Sequence, residues 1–178
     1  MSDKELIIFM DCGDTIIDEG TEVRDEQGVV IRANVIPGAD VTVKTLAERG
    51  YRLALVADGL VQSFKNLLTH HGLFDCFETM IVSECIKASK PSIRMFNAAM
   101  GAMELGGEDK RRIVMVGNNL KRDVKGANLA GLTSIHLNWS PRYAKMPEDP
   151  SEVPDYTIRE PLELLDLAER LNAGLAAK

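Results

Sequence analysis

The chain has 178 residues, 45% hydrophobic and 27% charged, and its 21 Lys and Arg against 27 Asp and Glu give a net charge of −6. That is the length of one domain, expected over residues 1–178, with enough apolar material for a core; with no basic stripe, nucleic acid is excluded as the expected partner. Three cysteines without disulfide or metal spacing, no signal segment and no apolar run of membrane length set the cytoplasm as the expected location.

Leu6 to Met10 is too short and too rich in Ile for a helix and reads as a buried strand. Residues 18–36 hold two short β-prone stretches, 21–23 and 29–31, around Asp25-Glu26-Gln27-Gly28, which predicts a hairpin. After Pro37-Gly38, Val43, Leu46 and Ala47 mark a helix that Gly50 ends. Leu53 to Ala57 is a second buried strand, and Val61, Phe64, Leu67, Leu68 and His71 trace a helical face. Met80 to Val82 is a third strand. Pro91 opens a helix whose inner face carries Phe96, Ala99, Met100 and Met103. Ile113 to Val116 is a fourth strand, Lys121 to Ala130 a helix and Ser134 to Leu137 a fifth strand. Tyr156 to Ile158 suggests an edge strand, and a closing helix follows Pro161. Residues 138–154, with four prolines, read as a long ordered loop.

Apolar strands alternating with amphipathic helices predict an α/β fold: one doubly wound, Rossmann-like parallel sheet of five or six strands. In such sheets ligands lie beyond the carboxyl ends of the strands. There stand Asp11-Cys12-Gly13-Asp14-Thr15, Asp58-Gly59 and Gly117-Asn118-Asn119 with Asp123, and Lys90 beyond the third strand. Acid and amide oxygens beside one lysine suit a divalent cation and a phosphoryl group.

The order of these motifs, Asp-x-x-x-Thr, "LALVADG", Lys-Pro and "VMVGNNLKRDVKGANLAGL", resembles the haloacid dehalogenase superfamily from about Leu6 to Leu171. The resemblance implies that Asp11 is a nucleophile forming an aspartyl-phosphate, that Lys90 offsets the phosphoryl charge, and that Mg²⁺ is held by Asp11, the Gly13 carbonyl, Asn118 and Asp123. Thr15, Asp58 and Gly59 stand at its substrate-binding positions.

Three positions depart from the family pattern. Gly13 replaces the general acid/base Asp. Asp14 then either takes over that work or caps the loop. Ala57 replaces a phosphate-binding hydroxyl, which leaves the backbone N–H groups of Asp58 and Gly59. Asn118 replaces a carboxylate and weakens the metal site. The expected function is a Mg²⁺-dependent phosphomonoesterase for phosphorylated substrates with easy leaving groups. A metal-independent dehalogenase, with Asp11 attacking carbon, and a degenerate binding module are the alternatives. Both usual insertion points for a cap domain are short, so the resemblance is to the capless branch, with residues 18–36 as a flap. A large substrate or a second copy of the chain would then cover the site. In the loop after strand five, Arg142 or Lys145 is the candidate contact to an anionic substrate. Cys12 and the Met95, Met100, Met103 and Met115 side chains read as core.

Overall fold

The computed structural model describes residues 4–177, so the ends of the expected 1–178 span lie outside it. The chain begins with β1 (Ile7–Met10), followed by a small antiparallel hairpin of β2 (Val23–Arg24) and β3 (Val30–Arg32). Next come α1 (Ala39–Glu48), β4 (Arg52–Ala57), α2 (Val61–His70), β5 (Thr79–Val82), the one-turn α3 (Ser83–Ile86) and α4 (Ile93–Ala102). The second half holds β6 (Ile113–Gly117), α5 (Lys125–Ala130), β7 (Thr133–Leu137), β8 (Tyr156–Ile158) and α6 (Glu163–Ala176).

Six strands form one sheet in the order β5-β4-β1-β6-β7-β8, every pair parallel. The chain leaves β1 toward β4 and β5, then crosses back to β6 on the other side. β1 is therefore the switch point, and its carboxyl end opens the crevice where ligands bind in such sheets. Alternation along the strands divides the core. Ile8, Met10, Leu53, Leu55, Val114 and Val116 face α1, α2 and α6, whereas Ile7, Phe9, Ala54, Val56, Ile113 and Met115 face α4 and α5. All four residues of β1 are buried, which explains its continuous apolar run. The four methionines expected in the core are buried there.

The structure adds local detail that periodicity does not carry. The hairpin strands sit one or two residues later than expected, because Thr21 is used in a tight turn: its hydroxyl donates to Asp18 O and accepts from Asn34 N–H. Gly131 ends α5 in the left-handed region at φ 76°, where a side chain would be strained. The helix expected from Lys121 opens instead as a wide π turn, Leu120–Val124, capped by the Asn119 side chain on the N–H groups of Lys121 and Arg122. Between β1 and α1 lie only a loop, a 3-10 turn and the hairpin, and between β4 and β5 only α2 and a 3-10 turn. Neither insertion point carries a cap domain among the described residues. The 138–154 loop is ordered by Lys125 on Asp149 and by Asn128 on the carbonyls of Ser151 and Val153.

Candidate active site

Asp11 leaves the end of β1 with its N–H donating to Val116 O at 2.9 Å, so the neighbouring strand fixes its start. Lys90 reaches it from beyond β5. The Lys90 ammonium donates to Asp11 Oδ1 at 2.7 Å and to Val56 O at 2.8 Å, and lies 2.6 Å from Asp123 Oδ1. Its backbone N–H donates to Asp58 Oδ1 at 3.1 Å. Asp123 owes its direction to the π turn and to Asn119, whose N–H donates to Asp123 Oδ2 at 3.0 Å. Gly117 belongs to the same arrangement, since a Cβ there would overlap the Asp123 carboxyl. Three residues far apart in sequence thus meet as one buried ion cluster.

The charges perturb one another strongly. Burial and the nearby Asp123 carboxylate push Asp11 up to about 6, against the pull of the Lys90 ammonium. Burial works against the Lys90 charge, but Asp11, Asp123 and Asp58 outweigh it and raise the Lys90 pKa. Lys90 is a fixed cation, not a proton donor. Burial pushes the Cys12 thiol well up, which makes it an inert packed side chain.

A small solvent-open cleft of about 90 Å³ lies over Asp11. Cys12, Gly13, Asp58, Gly59 and Arg122 line its polar end, and Ile17, Val30, Leu60, Phe64 and Leu67 its apolar side. The hairpin forms a wall with Glu19, Glu22 and Arg24, the last two ion-paired. It is tied to α2: Val30 N–H donates to Ser63 Oγ, Asn66 Nδ2 donates to Val30 O, and His71 Nε2 bonds Ala33 O. The flap is therefore held against the body, with the His71 ring at the end of α2 pinning it.

Glu19 carries no motif signal, because only the loop path brings it into this cleft, and Tyr143 beside it carries none either; Arg122 stands within the fourth motif, where the sequence reading gives it no role. Glu19 Oε1 occupies the space a Gly13 side chain would need. Tyr143 donates its hydroxyl to Glu19 Oε2 at 2.8 Å, and the Arg122 guanidinium lies 5.5 Å from the Tyr143 ring centroid. Burial pushes the Glu19 carboxyl up, and the Asp14, Asp11 and Glu22 charges add to this, while the Tyr143 hydroxyl opposes it.

The other expected residues are placed differently. Asp14 is completely buried and accepts from Arg142 Nε at 2.7 Å, Arg142 Nη2 at 2.6 Å, Ser140 Oγ at 2.6 Å and Glu19 N–H at 3.0 Å. Burial pushes its carboxyl up, but these donors outweigh that and hold it below the ordinary value. Asp14 and Arg142 are thus bonded to each other, with Asp18 as Arg142's second partner, and neither lines the cleft over Asp11. Thr15 is buried beside Met10, Val116 and Leu137, away from the cleft. Gly59 lines the cleft, but its N–H already donates to Ser83 Oγ at 2.9 Å. That bond ties the loop after β4 to the first residue of α3.

Among the described residues no group of three or more His, Cys, Asp or Glu is arranged to hold a metal ion. Asp123 Oδ2 accepts from the Asn119 N–H, while Oδ1 lies 2.6 Å from the Lys90 ammonium but has no hydrogen-bond partner. Asp11 has a second oxygen outside its bond to Lys90, and Asn118 is buried with an Nδ2 that has no hydrogen-bond partner. His136 Nε2 lies 3.2 Å from Asn118 O and steadies that residue's backbone. Asp11, with an oxygen not bonded to Lys90, and Asp123, whose Oδ1 has no hydrogen-bond partner, supply the hard oxygens that suit Mg²⁺, which keeps several waters and shares substrate oxygens.

Comparison with known proteins agrees with this geometry. Residues 21–137 match the model of the haloacid dehalogenase-like hydrolases. The chain is 33% identical over 138 residues to a glyceraldehyde 3-phosphate phosphatase from Methanopyrus kandleri, covering 78% of this chain and 56% of that protein. It is 32% identical over 140 residues to a phosphoserine phosphatase from Thermus thermophilus, covering 79% and 53%. The chain thus spans about half the length of the curated relatives it matches. A HAD-hydrolase from Bacillus subtilis crystallised with magnesium superposes with a TM-score of 0.72 at 21% identity, over 92% of this chain and 98% of that one, a likeness of fold.

Proposed function

We propose a function from one established premise: the chain belongs to the haloacid dehalogenase-like hydrolases. It is an enzyme of that family whose relatives include named phosphatases, and in our reading it is a Mg²⁺-dependent phosphomonoesterase. Residues 1–178 form its catalytic core, with residues 18–36 as the flap. The observation that carries this reading is the buried cluster of Asp11, Lys90 and Asp123 at the mouth of β1, opening on the cleft.

Asp11 attacks the phosphorus of a bound monoester, and the bond to the leaving oxygen breaks as the aspartyl-phosphate forms. Water then cleaves that acyl phosphate and returns the carboxylate. Splitting one hard displacement into two lowers each barrier. Lys90, locked between Asp11 and Asp123, offsets phosphoryl charge without having to move. Arg122 adds a second cation at the cleft's polar end. Mg²⁺, held by Asp11, Asp123 and Asn118 with the Gly13 carbonyl, would supply charge neutralisation.

The test is turnover of a panel of phosphorylated metabolites with Mg²⁺, with EDTA and with Asp11→Asn as controls. Mg²⁺-dependent release of phosphate that Asp11→Asn abolishes is expected. Equal rates for wild type and Asp11→Asn, or phosphate release that EDTA leaves unchanged, would overturn it.

A further inference from the structure

Hydrolysis of an alkyl phosphate needs more than a nucleophile, because an alkoxide is a poor leaving group unless it is protonated as it departs. Position 13, two residues past Asp11, has no side chain to do this. Lys90 is spent on Asp11, Asp123 and Val56 O. Glu22 is ion-paired with Arg24. Asp58 is half committed to the Lys90 N–H, and its other oxygen is buried away from solvent. Asp14 is enclosed by four donors. Glu19 is the remaining carboxyl that lines the cleft.

Its placement is specific. Glu19 lies at the start of the 3-10 turn that leads into the hairpin, and its side chain folds back over Gly13. A Cβ on Gly13 would overlap Glu19 Oε1 and fall 2.9 Å from Cδ, so the glycine leaves the room that the carboxyl fills. The backbone is held by the Glu19 N–H on Asp14 Oδ1, and Oε2 is held by the Tyr143 hydroxyl. One oxygen is thus fixed by Tyr143, while the other lies over the loop that carries the nucleophile.

We propose that Glu19 is the proton-transfer residue of this enzyme, reaching from the flap into the space vacant at Gly13, and that this opens alkyl phosphates to it as substrates. The inference rests on the phosphomonoesterase reading above. As Asp11 attacks phosphorus and the bond to the leaving oxygen breaks, the Glu19 carboxyl gives its proton to that oxygen and the alcohol departs. Water then attacks the phosphorus of the aspartyl-phosphate and gives a proton to the Glu19 carboxylate. Inorganic phosphate leaves, with Asp11 ionised and Glu19 protonated again. Ester plus water has become alcohol plus phosphate. Tyr143 is a positioning residue.

The experiment compares wild type, Glu19→Gln and Tyr143→Phe on p-nitrophenyl phosphate and on a panel of alkyl phosphates, with folding checked by circular dichroism. Proton transfer of this kind is worth about 10²–10⁴-fold. Glu19→Gln is therefore expected to lose that factor in kcat/KM on alkyl phosphates and less than about tenfold on p-nitrophenyl phosphate, whose anion leaves unaided. Tyr143→Phe should show the same selectivity with a smaller loss. Equal losses on both substrate classes, or none, in a folded Glu19→Gln protein overturn the proposal while the phosphatase reading stands. A wild type without Mg²⁺-dependent phosphatase activity overturns both.

Discussion

Arg142→Met isolates the bond that orders the loop after β7. Asp14 is completely buried, and Arg142 supplies two of the four hydrogen bonds to its carboxylate. A hydrogen bond to a charged group is worth about 1.5–3 kcal/mol, and removing one partner of a buried ion pair costs about 3–5 kcal/mol. Two facts lower that figure here. The Arg142 side chain is 37% exposed, so water screens part of the attraction, and Ser140 with the Glu19 N–H continues to hold Asp14. A loss of about 2–3 kcal/mol follows, or about 1–1.5 M in the urea midpoint at a slope of roughly 2 kcal/mol/M. Asp14→Asn should cost a similar amount, and the double variant less than the sum by about 1 kcal/mol or more. The pH dependence has a definite sign. Because the Asp14 carboxyl is depressed when folded, the unfolded chain takes up a proton first as the pH falls. This contribution is complete above the ordinary value of 3.8 and is lost as the pH drops through the lower folded value, a loss that Asp14→Asn removes. Midpoint shifts under about 0.2 M for Arg142→Met, or strict additivity in the double variant, would refute the reasoning.

Lys90→Met strands the buried Asp11 and Asp123 carboxylates without their cation. It should abolish turnover and lower stability by about 3–5 kcal/mol near neutral pH, with the gap to wild type narrowing in acid as one carboxyl takes up a proton, read from urea midpoints at pH 8 and 5.5. Burial depresses His136, helped by the Lys145 charge and opposed by the bond to Asn118 O. Its contribution is therefore complete above its ordinary 6.5 and falls away as the pH drops further. The wild-type midpoint should lose more than that of His136→Gln between pH 7.5 and 5.5, and parallel curves would contradict this.

Apolar runs of three to five residues separated by helical periodicity specified which segments became strands and that the sheet was parallel, because strands buried on both faces are mostly apolar along their length. Motif order placed Asp11, Lys90, Asp58, Asn118 and Asp123 at strand ends, and the fold brings them to one end of the sheet. Local pattern also accounts for the missing cap, which is a matter of how many residues lie between elements. It could not assign partners. Asp14 meets Arg142 128 positions away, and Tyr143 meets Glu19 across 124. Those contacts decide that Asp14 is an anchor and that Glu19 enters the cleft. The reason is physical: periodicity records which face of an element avoids water, a short-range property of the chain. Where a carboxylate spends its hydrogen bonds depends on donors delivered by distant loops, and only the folded protein brings them within 3 Å.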